Sequence, residues 1–168
     1  MSLDVNLYKP QAYVRMMFLE DCKIGQKYEI PSVLITKEDI IDFAKKYDNI
    51  PLHTDEEYAK TTRFKDVIAS GMMSLLVMWG KFQEQDILGD GLVAGKCFNT
   101  EWFAPVFAGD TLRGEVEIVG TYPRNKYNGA IQTKMTIYNQ KDEIVLINST
   151  EAVVRRKDAP DTQKDNQA

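Results

Sequence analysis

Residues 69–82 read ASGMMSLLVMWGKF, and from Gly71 to Trp79 every residue except Ser74 is apolar or glycine. A helix that is apolar around its whole circumference is normally surrounded by protein. A helix bundle would contain several such segments, whereas this chain has one. The stretch therefore predicts a single central helix that is wrapped by protein on most sides.

The sequence after this helix changes to the two-residue period of β-strands. Leu112, Val116 and Ile118 alternate with charged residues such as Arg113 and Glu117, which is typical of a half-buried antiparallel strand. Turns are indicated where Gly and other turn-forming polar residues cluster. The further predicted strands are 93–103, 130–139 and 143–155, and the predicted turns between them are Asn128-Gly129 and 140–142.

The sequence before the central helix predicts a strand at 26–33 and then a second, shorter helix. Thr36 with Asp39 three residues later resembles a capping box, and the helix is expected to end near Asp48. Its apolar face is expected to consist of Ile40, Phe43, Ala44 and Tyr47. Ile50-Pro51 then requires a turn, and the polar stretch up to residue 64 has room for one short helix. The whole pattern predicts an α+β domain, with an antiparallel sheet curled around a buried helix.

Composition narrows the class of protein further. With 168 residues, 43% of them hydrophobic and 27% charged, the chain has the size and composition of one globular domain. A formal net charge of -4 argues against general nucleic-acid binding. No apolar run reaches the roughly 20 residues that cross a bilayer, and residues 1–13 lack a secretion signal, so we expect a cytoplasmic protein without a membrane partner.

The two cysteines, Cys22 and Cys97, lack the spacing of a zinc site, so no metal is expected. Both are predicted to be buried or partly buried free thiols. Residues 1–17 are predicted to form an irregular arm, and residues 157–168 a disordered polar tail.

Two blocks, YDNIPLHTDEEYAKTTRFKDVIASGMMS (47–74) and EWFAPVFAGDTLRGEVEIV (101–119), carry a resemblance to a known family. They closely resemble the MaoC-like dehydratases and (R)-specific enoyl-CoA hydratases, whose signature runs Asp, four residues, His-x-Asp, a Phe-containing loop and Gly-Met. The resemblance covers residues 18–156. It implies a hot-dog fold, a homodimer or higher homo-oligomer, and the reversible addition of water to a 2-enoyl-CoA, giving a 3-hydroxyacyl-CoA. Acyl-CoA would be the substrate, and no cofactor is implied.

In this resemblance Asp48 and His53 match the catalytic pair, and Gly71 matches the glycine whose amide holds the thioester carbonyl. The chemistry of these residue types agrees with those roles. Two bases within hydrogen-bond reach of a water molecule can orient it and remove its proton, and histidine exchanges protons near neutral pH. A free amide at a helix N-terminus can stabilise the negative oxygen that develops during the addition.

The chain also departs from the family pattern. The hydratases have an asparagine two residues after the aspartate, where this chain has Ile50. Either Asn49 holds the water from a shifted turn, or the water is held by other groups. Ile50, Met72 and Trp79 are candidate acyl-pocket residues, and the bulk of Trp79 favours a short or branched acyl group.

Other residues and functions stay open at this point. Arg124 and Lys126 either bind the CoA phosphates or belong to a solvated turn. Asp55 is interpreted as a helix cap rather than a catalyst. Two alternatives to the hydratase remain, a hot-dog thioesterase and a non-catalytic acyl-CoA binding protein, because one fold supports many functions.

Overall fold

Five antiparallel strands form one sheet in the computed structural model of the protein, which describes residues 17–159. The order across the sheet is β1-β3-β4-β5-β2, so β1 and β2 are its two edges. In chain order the strands are β1 (Lys27–Leu34), β2 (Leu92–Trp102), β3 (Thr111–Pro123), β4 (Asn128–Tyr138) and β5 (Ile144–Arg155).

Four α-helices lie between the first two strands, within the same range of residues. They are α1 (Lys37–Tyr47), α2 (Pro51–Thr54), α3 (Glu56–Thr61) and α4 (Gly71–Gln83), and a single 3-10 turn (Leu19–Asp21) precedes β1. The predicted α+β class is confirmed, and the stretch up to residue 64, where one short helix was expected, contains two, α2 and α3. None of the α-helices within residues 17–159 has both the length and the apolar composition of a membrane-spanning segment.

The central helix α4 packs one face against the sheet. Met73, Leu75 and Met78 are buried there in a core that β1, β3, β4 and β5 complete with side chains such as Leu112 and Leu146. The expectation that α4 is wrapped on most sides is wrong for its opposite face. Met72 and Leu76 are each 48% exposed, because none of the described residues covers that side of the helix.

Helix α1 begins where the sequence predicts. The Thr36 hydroxyl accepts a hydrogen bond from the Asp39 amide at 3.1 Å, and Ile40 and Ala44 are fully buried. Tyr47 corrects the predicted apolar face, because its ring is exposed. It contacts the partly buried Phe43 in a tilted arrangement with ring centroids 5.0 Å apart, so the last turn of α1 extends beyond the core.

The hairpin between β3 and β4 differs from its prediction. Asn128 and Gly129 already belong to β4, and the chain turns before them, at residues 124–127. A Cβ on Gly129 would lie 2.3 Å from the Leu19 side chain, so close packing against the N-terminal 3-10 turn requires the glycine. The other predicted turn, at 140–142, is confirmed.

One of the two cysteines is buried and the other is exposed to solvent. Cys22 is a buried free thiol in a second small core with Leu19, Ile118 and Val154. Cys97 is exposed, which corrects its predicted burial, because β2 is an edge strand and Cys97 lies opposite Glu151 on the face turned away from α4. The predicted arm and tail lie outside the described residues, apart from Met17 and residues 157–159.

Candidate active site

The turn between α1 and α2 brings Asp48 and His53 together. Asp48 ends α1, with its amide bonded to the Ala44 carbonyl, and Ile50 is extended, as the following Pro51 requires. Helix α2 then begins at the proline and carries His53 back towards the end of α1. The Asp48 Oδ2 and His53 Nε2 atoms are 3.7 Å apart.

His53 is 6% exposed and is held in one tautomer by the backbone. Its Nδ1 lies 2.7 Å from the Ile68 carbonyl oxygen. Because a carbonyl only accepts, Nδ1 must carry the hydrogen, and a neutral ring then has its lone pair on Nε2. The nitrogen that faces Asp48 is therefore the one that can act as a base.

The gap between Nε2 and Asp48 Oδ2 is too long for a direct hydrogen bond. Two acceptors at this separation can both bond to one water oxygen placed about 2.8 Å from each, since hydrogen bonds to water have about that length. The pair is thus arranged to hold one water molecule between two acceptors.

Ser70 also contacts Asp48, and sequence reasoning did not find this contact. Its hydroxyl donates to Asp48 Oδ2 at 2.6 Å and accepts from the Met72 amide at 3.2 Å, as the N-cap of α4. A serine before an apolar helix is a typical N-cap, so the capping role was predictable from the sequence. The contact with Asp48 was not predictable, because it joins residues 22 apart in sequence.

Gly71 is the first residue of α4, and its carbonyl oxygen accepts two hydrogen bonds. Its carbonyl accepts from Trp102 Nε1 at 2.9 Å and from the Ser74 hydroxyl at 2.8 Å. A Cβ on Gly71 would lie 2.9 Å from the Trp102 ring. Its amide, in contrast, has no acceptor among the residues that the structure describes, as is typical of a first-turn amide.

A pocket of about 250 Å³ opens between the loop before α4 and the end of β2. His53 and Gly71 both line it, so the residue of the candidate base and the residue of the free amide border one space. Asp48 lies outside the lining and would act through a water shared with His53. The pocket is lined by His53, Arg63, Phe64, Ile68, Ala69, Gly71, Ser74, Trp102, Phe103, Ala104, Pro105 and Val106.

The candidate water-holding and acyl-pocket residues lie elsewhere. Asn49, Ile50 and Met72 are exposed and do not line this pocket. Trp79 lines a second, mainly apolar cavity of about 270 Å³, beside the C-terminal half of α4, where its ring packs edge-on against Phe98 at 4.7 Å.

The candidate phosphate-binding cations lie far from the pocket in one copy of the chain. Trp102 pairs with Leu146 at the start of β5, whereas the hairpin with Arg124 and Lys126 meets its other end at Arg155. At about 3.3 Å per residue these ends are roughly 30 Å apart. Arg63, which sequence reasoning did not single out, is the cation in the pocket lining, stacked on Phe64.

Asp55 acts as a cap, as predicted. Its carboxylate accepts from the Tyr58 amide at 3.0 Å at the start of α3. Within residues 17–159, the structure contains no group of three or more His, Cys, Asp or Glu side chains placed to hold a metal ion.

Comparison with known proteins identifies the family. A family model described as MaoC like domain matches residues 20–142. Uncharacterized protein YdeM of Bacillus subtilis is 32% identical over 83% of this chain and 100% of its own length. An (R)-specific enoyl-CoA hydratase of Rhodospirillum rubrum is 34% identical over 66% of this chain and 75% of its own. The solved structure of a monoamine oxidase regulatory protein from Archaeoglobus fulgidus matches with a TM-score of 0.80 and 31% identity, over 84% of this chain and 96% of that one.

The chain therefore belongs to the MaoC-like domain family and has the hot-dog fold, as the resemblance implied. Its relatives include a hydratase and a protein without an assigned activity.

Proposed function

We propose that the protein is an enoyl-CoA hydratase, which adds water reversibly to a 2-enoyl-CoA and gives a 3-hydroxyacyl-CoA. The observation that carries the proposal is that His53 and Gly71 line the same pocket. His53 has its Nε2 available as a base, and the Gly71 amide has no acceptor among the described residues. Asp48 faces the same Nε2 at 3.7 Å. The hydratase among the relatives supports the same reaction class.

In the proposed reaction, His53 and Asp48 hold a water molecule and remove one of its protons. The water oxygen bonds to the β-carbon of the enoyl group, and the electron pair of the double bond moves towards the thioester carbonyl. The Gly71 amide donates to that oxygen while it is negative, helped by the positive end of the α4 dipole. The proton that the Asp48–His53 pair took from the water is then returned to the α-carbon as the thioester carbonyl re-forms, which completes the addition of water and regenerates both bases. The reaction uses acyl-CoA as its substrate and needs no cofactor.

We propose further that the acyl group is short or branched. Trp79 lies eight residues, about two turns, beyond Gly71 on α4. Its contact with Phe98 occupies space that a long acyl chain running along the helix would need. The CoA-phosphate role of Arg124 and Lys126 and the cytoplasmic location stay predictions from the sequence.

A homodimer is the assembly that we propose. Met72 and Leu76 on α4 are exposed, and so are Phe98, Trp102 and Phe103 on or just after the edge strand β2. The hydrogen bond from the Trp102 indole to the Gly71 carbonyl joins the strand end to the start of α4, and we call the five exposed residues the apolar edge. An unpaired edge strand beside exposed apolar side chains is an uncommon combination in a monomer, because it invites pairing with another chain. A second copy would cover both features at once.

The proposal is tested with crotonyl-CoA, by following loss of the conjugated enoyl absorbance and release of free thiol in parallel. We expect absorbance to fall without thiol release, since hydration leaves the thioester intact. Thiol release would indicate a thioesterase instead. Binding of the acyl-CoA with neither change would indicate a non-catalytic binding protein.

The variants Asp48→Asn and His53→Ala identify the residues responsible. Each removes a base, so we expect turnover to fall by about 100-fold or more. Circular dichroism of each variant checks that the fold is intact. Wild-type turnover in either folded variant would exclude that residue from the proposed pair.

A further inference from the structure

We propose that Ser70 is a positioning residue for hydration, which fixes the position of the Asp48 carboxylate relative to the Gly71 amide; this rests on the proposed function. The Ser70 hydroxyl has one proton, which it donates to Asp48 Oδ2 at 2.6 Å. Its lone pair accepts from the Met72 amide at 3.2 Å. With Ser70 only 1% exposed, the hydroxyl has little room for other partners.

Asp48 depends on this contact because it has little else to hold it. Its side chain is 36% exposed and follows the last turn of α1. Among the described residues, Ser70 is the one side chain within hydrogen-bond distance of the Asp48 carboxylate, since His53 Nε2 is 3.7 Å away. Without the hydroxyl, the carboxylate is free to rotate into solvent, away from the water that it shares with His53.

Ser70 also connects the two halves of the candidate site. It directly precedes Gly71, and its carbonyl accepts the Ser74 amide in the first turn of α4. Ser70 is therefore hydrogen-bonded to the Asp48 carboxylate, which would activate water, and joined by a peptide bond to Gly71, whose amide would hold the thioester oxygen. Catalysis depends on such positioning, because small displacements of reacting groups cause large losses of rate.

The first test is Ser70→Ala. A hydrogen bond to a charged group has a net contribution that corresponds to a change of about 10- to 100-fold in rate. We expect kcat for crotonyl-CoA hydration to fall by this factor while KM changes little, since the Ser70 hydroxyl is not in the pocket lining. Ser70→Thr keeps a hydroxyl and should restore most of kcat.

Two comparisons separate positioning from helix capping. Thr36→Ala removes the N-cap of α1, at the far end of that helix from Asp48, and should leave turnover near the wild-type value. In an Asp48→Asn background, Ser70→Ala should have little further effect on residual turnover, since residues that act as a unit are strongly non-additive. Circular dichroism and thermal unfolding are recorded for every variant.

Two results would overturn the role of Ser70, and a third would also overturn the proposed hydratase activity. Wild-type kcat in a folded Ser70→Ala variant would overturn the role of Ser70 and leave the proposed hydratase standing. An equal loss of turnover in the Asp48→Asn background would also overturn it, because the loss would then not pass through Asp48. If the wild-type protein does not hydrate the enoyl group at all, both proposals fall.

Discussion

At the scale of single residues, Gly71 shows how one position can be required for two reasons. Its carbonyl anchors the Trp102 indole at 2.9 Å, and the same ring occupies the place where a Cβ would stand. The amide has no acceptor within residues 17–159, and Gly71 lines the same pocket as His53. The resemblance gives Gly71 a role through its amide, and the structure adds that a side chain at this position would collide with the Trp102 ring.

The two cysteines lead to a prediction about thiol reactivity. Burial raises the pKa of Cys22 to about 11, and the carboxylates of Asp21 and Glu20 add to this. The thiolate is the reactive form, so at pH 8 only about 0.1% of Cys22 would be reactive. With a chromogenic disulfide reagent at pH 8 we expect one fast thiol, Cys97, in the native protein and two in denaturant. The Cys22 reaction should quicken as the pH rises towards 11.

The matched control for this titration is Cys97→Ser. This variant should lose the fast native reaction and keep one thiol in denaturant. A fast native thiol that persists in Cys97→Ser would contradict the burial of Cys22.

At the scale of elements, the ends of two helices build the candidate site. Asp48 comes from the end of α1, and Ser70 and Gly71 come from the start of α4. Helix ends leave backbone groups unbonded and allow side chains to bridge them, which helix interiors do not. The short α2 adds His53 because Pro51 starts a new helix directly after the turn.

The capping of α1 gives a prediction for stability. Thr36→Ala removes the acceptor of the Asp39 amide and should lower the free energy of unfolding by about 1 kcal/mol. For a chain of this size we expect Tm to fall by about 2–4 °C. Thermal unfolding followed by circular dichroism measures it.

Thr36→Asn is the control, since asparagine is also a good N-cap residue. It should retain most of the stability. If the Asn variant loses as much as the Ala variant, the cap is not the source of the effect.

At the scale of the whole molecule, the strand order decides which surface is left open. With β2 at the edge, one side of its backbone has no partner strand in the part of the chain that the structure describes, and the apolar edge beside it is exposed. The candidate pocket lies at the end of that same strand, next to Trp102 and Phe103. Pocket and proposed interface are therefore neighbours.

The proposed dimer predicts a specific sedimentation result. The mass of the wild-type protein measured by sedimentation equilibrium should be twice the 19.2 kDa of one chain. Leu76→Glu places a charge in the apolar edge and should shift the protein towards 19.2 kDa, because burying an unpaired charge is strongly unfavourable.

Ile24→Glu is the matched control for this experiment. Ile24 is also exposed and apolar, but it precedes β1, at the opposite edge of the sheet. It should leave the dimer intact. A wild-type monomer, or equal dissociation by both variants, would contradict an interface at the apolar edge.

Much of the fold was predictable because its signals are local. The apolar run of α4, the Thr36 cap and the alternation in β3 depend on residues within one element, where helix and strand periods act directly. Asp48, His53 and Gly71 were predictable as a set because the resemblance covers their spacing, and the structure brings them together.

The sequence by itself thus determined the class of fold, most of the element boundaries and the chemical types in the candidate site. Only the tertiary structure decided that Ser70 holds Asp48, that Trp102 covers Gly71, and that Cys97 lies in solvent. The physical reason is the distance along the chain: the first two contacts join residues 22 and 31 apart. The exposure of Cys97 follows from the place of β2 in the sheet, which no local pattern specifies.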